Sequence, residues 1–309
     1  TQLPYTVSSS RNNSVSINLA YIDVRYSSKY LRARFVPGVG TYINDNYKNE
    51  PGTLKNLVEA NVGVLLSSSR NIWLDVGVLG SHYTNESAIS KDQLMYTRSF
   101  APENVPYYLA GARLSMPLSE TVQASVYLLN GWQVIDDNNK GKSLGTQLQY
   151  KPSSQWTFNW NTYVGDERSA ERPDFRTRYF SEVHAIFQPS SKFDATSCFY
   201  WGQQQTTTQS RTWGQFNVIG RYHFTHQLSL SGRVEYFHDP DNVFIQPVTA
   251  ATNRFQAYSS GVCLNYAVGH HALARFEAKQ YFSSDKVFAT ENGSSSTNTL
   301  LVASLAAWF

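Results

Sequence analysis

Segments of about ten residues that alternate apolar and polar side chains recur along this chain, joined in rotation by tight turns and long polar loops. Leu114-Ser115-Met116 leads through Pro117-Leu118-Ser119-Glu120 into Val122-Gln123-Ala124-Ser125-Val126-Tyr127-Leu128. Tyr150 leads through Lys151-Pro152-Ser153-Ser154-Gln155 into Trp156-Thr157-Phe158-Asn159-Trp160, and Phe187 through Gln188-Pro189-Ser190-Ser191-Lys192 into Phe193-Asp194-Ala195-Thr196. A period of two sends alternate side chains to opposite faces of a sheet. One face is apolar and the other polar through nearly the whole length. The pattern predicts an all-β fold, a transmembrane antiparallel up-and-down β-barrel with lipid outside and water inside.

Fifteen strands are expected, near 14–25, 29–38, 56–67, 71–81, 107–116, 121–132, 142–151, 156–165, 176–188, 192–202, 213–224, 227–237, 254–267, 271–282 and 297–308. Long connections are expected near 39–55, 82–106, 133–141, 166–175, 203–212, 238–253 and 283–296, alternating with short turns. Bacterial barrels place short turns in the periplasm and long loops outside. With the C-terminus then periplasmic, the 14–25 segment also runs inward. Parity calls for one more strand ahead of it, giving a barrel of about sixteen with the first upstream of Thr1; a stub at residues 1–8 is the weaker alternative. One barrel domain spanning 1–309 is expected.

The alternation also assigns faces. In Tyr30-Leu31-Arg32-Ala33-Arg34-Phe35 the apolar positions point to lipid, which sends Arg32 and Arg34 into the lumen. An arginine at mid-depth on the lipid face costs about 2–4 kcal/mol. The same logic makes Glu59, Asp75, Arg113, Arg178, Glu182, His184, Asp194, Arg221, Arg233, Glu235, Arg275, Glu277 and Lys279 lumenal. Their opposite faces read Val58/Ala60/Val62/Val64, Leu74/Val76/Val78 and Ala272/Ala274/Phe276. Trp73, Tyr107, Trp132, Trp156, Trp201, Trp213, Tyr266 and Trp308 are candidates for interfacial girdles, although Trp73 reads lumenal by parity. The lumenal charges can pair to hold the wall together, or line a constriction and set ion selectivity. Their near balance predicts weak selectivity with a slight anion preference. The last strand ends on alternating hydrophobics and Phe309, the form of an assembly signal read by the outer-membrane barrel machinery.

Composition narrows the classes. Charged residues are 16% of the 309, against about 25% in soluble proteins. The 20 Tyr, 17 Phe and 7 Trp, with a mean hydropathy of −0.40, suit a barrel with a wet lumen. No run reaches the roughly 18 apolar residues of a membrane-spanning helix. A net charge of +3 without a basic cluster gives no reason to expect nucleic acid. Cys198 and Cys263 fall three strands apart, too far to bridge at roughly 4.8 Å per strand, so free lumenal thiols are expected.

The chain resembles the OmpL-like outer-membrane β-barrel porins, especially those of Bacteroidetes-type bacteria. The resemblance is carried by Asn18-Leu19-Ala20-Tyr21-Ile22, Gly40-Thr41-Tyr42-Ile43 with Asn44 to Tyr47, Glu59-Ala60-Asn61-Val62-Gly63 and Trp73-Leu74-Asp75-Val76-Gly77. It continues in Glu86-Ser87-Ala88, Thr97-Arg98-Ser99, Glu103-Asn104-Val105-Pro106-Tyr107-Tyr108, Leu129-Asn130-Gly131-Trp132-Gln133 and Gly145-Thr146-Gln147-Leu148-Gln149-Tyr150-Lys151-Pro152. It is strongest over residues 12–165. It implies a porin-like barrel without catalytic residues, and an additional strand ahead of Asn18-Leu19-Ala20.

The 82–106 connection exceeds the usual loop length. One reading folds it into or over the pore, with Glu86, Arg98 and Glu103 near a constriction; the other packs it among surface loops. Enzyme chemistry has little support: His184 with Glu182 is the nearest lumenal pair, and no serine motif accompanies it. Asp136-Asp137-Asn138-Asn139 and Asp239-Pro240-Asp241-Asn242 are oxygen-rich enough for Ca²⁺, but neither has EF-hand spacing, and such clusters are usually solvated turns. No cofactor or metal is expected. Expected partners are outer-membrane lipid and lipopolysaccharide, the assembly machinery, and either a homo-oligomer or an outer-membrane complex. The function expected is passive diffusion of small hydrophilic solutes. A weakly conducting structural or accessory barrel is the alternative.

Overall fold

A computed structural model describes residues 5, 6, 11, 13–246, 254–290 and 293–309. The 1–8 stub and residues 247–253 of the 238–253 connection fall largely or wholly outside that set. The main sheet opens with β1 (Ala20–Tyr21), β2 (Val24–Ser27), β3 (Leu31–Val39), β4 (Leu57–Ser67) and β5 (Ile72–Gly80). It continues with β6 (Tyr108–Pro117), β7 (Val122–Leu129), β8 (Ser143–Tyr150), β9 (Trp156–Asp166) and β10 (Phe175–Ser190). Then come β11 (Phe193–Thr206), β12 (Ser210–His223), β13 (Leu228–Asp239), β14 (Phe255–Val268) and β15 (Ala272–Phe282). A small hairpin, β16 (Phe288–Thr290) with β17 (Gly293–Ser295), precedes the last strand, β18 (Thr297–Ala307).

Sixteen strands form one antiparallel sheet in chain order. β1 and β2 both pair with β3 and are two halves of one segment, interrupted at Ile22-Asp23, so the sheet crosses fifteen times. Among the described residues the outer edges of β1–β2 and β18 are not paired to each other. Short turns close one end, such as 191–192 and 269–271, while the long connections gather at the other.

The faces follow the alternation. Val62, Val76, Val126, Val234, Val262 and Phe276 are exposed on the outer wall, while Asp75, Glu182, Arg233 and Glu277 are buried inside. Near the turn end the wall carries Tyr26, Tyr30, Tyr150, Tyr222, Phe224 and Tyr266; toward the loop end Tyr179, Trp201, Tyr258 and Phe282 do the same. These two aromatic bands suit the two membrane interfaces.

Several expectations are corrected. The connection near 203–212 shrinks to 207–209, because ladder pairing runs on to Gln205 and Ser210. Polar side chains do not end a strand when a neighbour still offers backbone partners. A register shift between Val36 and Pro37 sets two residues of β4 against one of β3 and turns Val58, with Glu59, toward an interior cavity. Val78 is 7% exposed rather than facing lipid, because it joins a buried cluster with Tyr42, Ile43 and Tyr47 from the segment around α1 (Thr41–Asn46). Tyr107, Trp132 and Trp213 are not girdle residues; Trp132 and Trp213 lie in the interior aromatic cluster and Tyr107 lines the cavity. For Trp213 the parity was readable, since it shares a face with Gln215 and Asn217 while Phe216 and Val218 point outward.

Val262→Arg, at mid-strand on the outer wall, should lower unfolding free energy in phospholipid vesicles by about 2–4 kcal/mol in a urea titration. Unchanged stability would place that face in water.

Candidate functional site

The 81–107 connection does not lie on the surface. It enters the barrel and is bound along its main chain by lumenal side chains of β12, β13 and β15. Glu277 Oε2 accepts the Tyr96 and Thr97 N–H groups at 2.8 and 2.9 Å. Thr97 Oγ1 donates to Glu277 Oε1 as well. Arg233 donates from Nη1 to the Thr97 carbonyl at 2.6 Å and from Nη2 to Thr97 Oγ1 at 2.8 Å. Glu235 accepts the Phe100 N–H at 2.5 Å and is paired with Lys279 at 2.7 Å, whose Nζ also reaches the Arg98 carbonyl at 3.2 Å. Arg275 takes the Ser90 and Gln93 carbonyls at 2.6 Å each. Irregular backbone carries a donor and an acceptor per residue, and inside a barrel wall these need partners. The alternating strands supply them from one face.

Within the loop, Glu86 accepts from the Ser99 N–H and hydroxyl and lies 3.7 Å from Arg233. Burial raises the Glu86 carboxyl above its ordinary range, with Arg233 and Ser99 opposing the shift. Ser99 caps the short helix α2 (Phe100–Glu103) by accepting from Ala101 N–H. Arg98 is 3.4 Å from Glu103 and lies over the Tyr42 and Tyr107 rings. Glu86, Arg98 and Glu103 are therefore inside the barrel, each already engaged by protein groups.

The remaining lumenal charges pair along the wall, and those on β3 and β6 are the more open. Arg34 pairs with Asp23 and Glu59, while Arg32 and Arg113 both reach Asp75. Asp194 pairs with Arg221 and His223. Glu182 binds Asn161, His184 and the Cys198 thiol. Arg178 donates to Gln204 and sits against Trp132, Trp213 and Phe244. Cys198 and Cys263 are free and buried. Phe309 is fully exposed at the chain end. Among the described residues no group of three acidic, cysteine or histidine residues is placed to hold a metal. Asp239 instead accepts the Val243, Phe244 and Ile245 N–H groups, Asp241 accepts from Thr212, and Asp137 pairs with Lys142.

Residues 1–309 match the family described as "Putative beta-barrel porin-2, OmpL-like". The chain belongs to that porin family. No curated protein matches the sequence. Solved structures share the fold at low identity. The outer membrane channel DcaP of Acinetobacter baumannii has a TM-score of 0.62 at 10% identity, covering 99% of this chain and 93% of that one. Outer-membrane expressed OmpT of Vibrio cholerae has a TM-score of 0.60 at 10% identity, covering 94% and 89%. An anion-selective porin from Comamonas acidovorans has a TM-score of 0.59 at 9% identity, covering 90% and 85%.

The porin's interior is divided by its loops. Phe100 packs with Trp132, Phe180, Tyr200, Trp213, Phe237, Phe255, Tyr281 and Phe288 in an aromatic cluster inside the barrel near its loop end. Beside the loop a cavity of about 340 Å³ remains, lined by Arg34, Val58, Glu59, Tyr21, Tyr42, Tyr83, Asn85, Glu86, Arg98 and Tyr107. Sequence reasoning missed the neutral polar residues that bind the loop, such as Ser231, which donates to the Leu94 carbonyl at 2.5 Å, and Asn217, which donates to the Ser99 hydroxyl at 2.8 Å. Their only sequence signal was a polar side chain at a lumenal position.

Arg233 stands among Glu86, Glu235 and Glu277. Arg233→Gln should leave these carboxylates poorly compensated, at about 3–5 kcal/mol for a broken buried pair. The expected result is at least a roughly hundredfold faster hydrogen exchange at the Tyr96, Thr97 and Phe100 amides, measured by mass spectrometry with the barrel still assembled.

Proposed function

We propose that this porin is a passive diffusion channel of the outer membrane for small hydrophilic solutes, with the 81–107 loop as its constriction. The observation that carries this reading is the loop itself, bound against β12–β15 so that the remaining cavity lies beside Arg34, Glu59 and Glu86. Solutes would pass between the loop and the β1–β6 wall, where Arg32, Arg34, Glu59, Asp75 and Arg113 stand. Arg178, Glu182, Asp194, Arg221, Arg233, Glu235, Arg275, Glu277 and Lys279 would act mainly by shaping that path and holding the loop. The turn end, with the C-terminus, would face the periplasm, and Phe309 would serve assembly. One barrel domain, ringed by lipid and lipopolysaccharide, completes the picture. A trimer form is known for OmpT of Vibrio cholerae, which makes a homo-oligomer the natural first partner to test.

A second reading has its own support. The aromatic cluster around Phe100 and Trp132 fills much of the interior near the loop end, which favours a weakly conducting accessory barrel in a larger assembly. Planar-bilayer conductance separates the two. Under the channel reading, deleting residues 84–104 raises single-channel conductance severalfold; unchanged conductance removes the loop from the constriction. In a salt gradient the intact barrel should show weak, slightly anionic selectivity, and a strong cation preference would contradict the lumenal charge balance.

A further inference from the structure

Charge cancels almost everywhere that solvent reaches the lumenal ion pairs. Arg25 and Arg34 face Asp23 and Glu59, and Arg221 faces Asp194. Beneath the loop, Arg233 and Lys279 stand among Glu86, Glu235 and Glu277. The exception is one row across β3–β6, where Arg32, Gly63, Asp75 and Arg113 are successive register partners.

Asp75 has a side chain only 1% exposed, and each arginine turns its Nε–Nη2 edge to it, keeping Nη1 off that contact. Arg32 Nε and Nη2 lie 2.6 Å from its two oxygens, and Arg113 Nε and Nη2 lie 3.1 and 2.9 Å from Oδ2. Gly63 makes this reach possible. A Cβ there would stand 2.2 Å from Asp75 Oδ1 and 3.0 Å from Arg32 Nε. Trp73 backs the Arg32 guanidinium at 4.4 Å, and Tyr127 hydrogen-bonds Arg113. Even so, the Arg32 and Arg113 side chains remain 35% and 31% exposed. Among the described residues no second carboxylate pairs with either arginine. Two guanidiniums share one carboxylate, which leaves one positive charge in excess on a rigid mount.

We propose that the Arg32–Asp75–Arg113 row is an oxyanion subsite on the solute path, taking the carboxylate, sulfate or phosphate group of a small solute. The subsite rests on the channel reading above and names its solute class. Guanidinium forks match the paired oxygens of such groups. Asp75 orders both arginines in advance, so little side-chain freedom is lost when an anion arrives. Arg34, which lines the cavity, lies two residues further along β3 on the same face. That places the row on the same wall, one step nearer the turn end.

Sulfate is the probe, added at constant ionic strength against chloride. In planar bilayers, sulfate reduces the chloride current of the intact barrel. The concentration for half reduction rises about tenfold in Arg32→Gln and in Arg113→Gln, the expected loss of one charge-assisted contact. Each variant leaves Asp75 paired with the other arginine. Arg113→Lys keeps the charge without the fork and gives an intermediate rise. Arg25→Gln removes the same charge from the neighbouring level and gives little change. A second readout does not need conduction: sulfate raises the unfolding midpoint of the detergent-solubilised barrel, and Arg32→Gln and Arg113→Gln abolish that rise. Equal effects from all three glutamine variants would mean diffuse lumenal charge and overturn the subsite. Normal conductance with no sulfate response in either assay would overturn it and leave the channel standing. No current with the midpoint response intact would overturn the channel reading and keep the oxyanion site.

Discussion

The structure depends on how charged side chains of one barrel wall bind the backbone of an inward loop. An irregular chain packed against a barrel wall buries N–H and carbonyl groups, and each left unsatisfied is costly. Here the carboxylates of Glu235 and Glu277 take the N–H groups, while Arg233, Arg275 and Lys279 take the carbonyls. Recognition is of main chain, so the same lumenal row could hold different loop sequences. Fixed side chains inside the loop, Glu86 on Ser99 and Arg98 beside Glu103, then settle its local path.

That interaction splits the lumen into unequal halves. On the β12–β15 side, charges are covered and spent on structure. On the β1–β6 side, arginines stay partly open to solvent and a cavity remains. The interior aromatics reinforce the division, since Phe100 from the loop inserts among Phe237, Phe255 and Tyr281. Identical residue types therefore have different physical roles according to which wall bears them. A guanidinium under the loop is a bracket for carbonyls, and a guanidinium across from it is available to a solute.

Much of the fold was legible because a strand's period of two is written directly in the sequence. Arg32 flanked by Leu31 and Ala33 could face only inward, and the fifteen crossings follow from the alternation and its turns. The departures have local physical causes. The shift at Val36 and Pro37 turned Val58 inward, and the segment around Tyr42 covered Val78. Trp132 sits beyond the end of β7, where parity no longer applies, and it went into the aromatic cluster. Bulges and loop packing depend on backbone partners that are far away in the chain.

By itself the sequence determined the membrane-barrel class, the strand order and the sidedness of nearly every charged residue, because each of these follows from alternation and the cost of charge in lipid. Only the tertiary structure decided which lumenal charges are consumed by the loop and which remain open. That outcome turns on contacts such as Thr97 with Glu277, separated by 180 residues, and Arg32 with Asp75 across a missing side chain at Gly63. No local pattern encodes such distances, since they arise when strands far apart in sequence are brought to one level of the barrel.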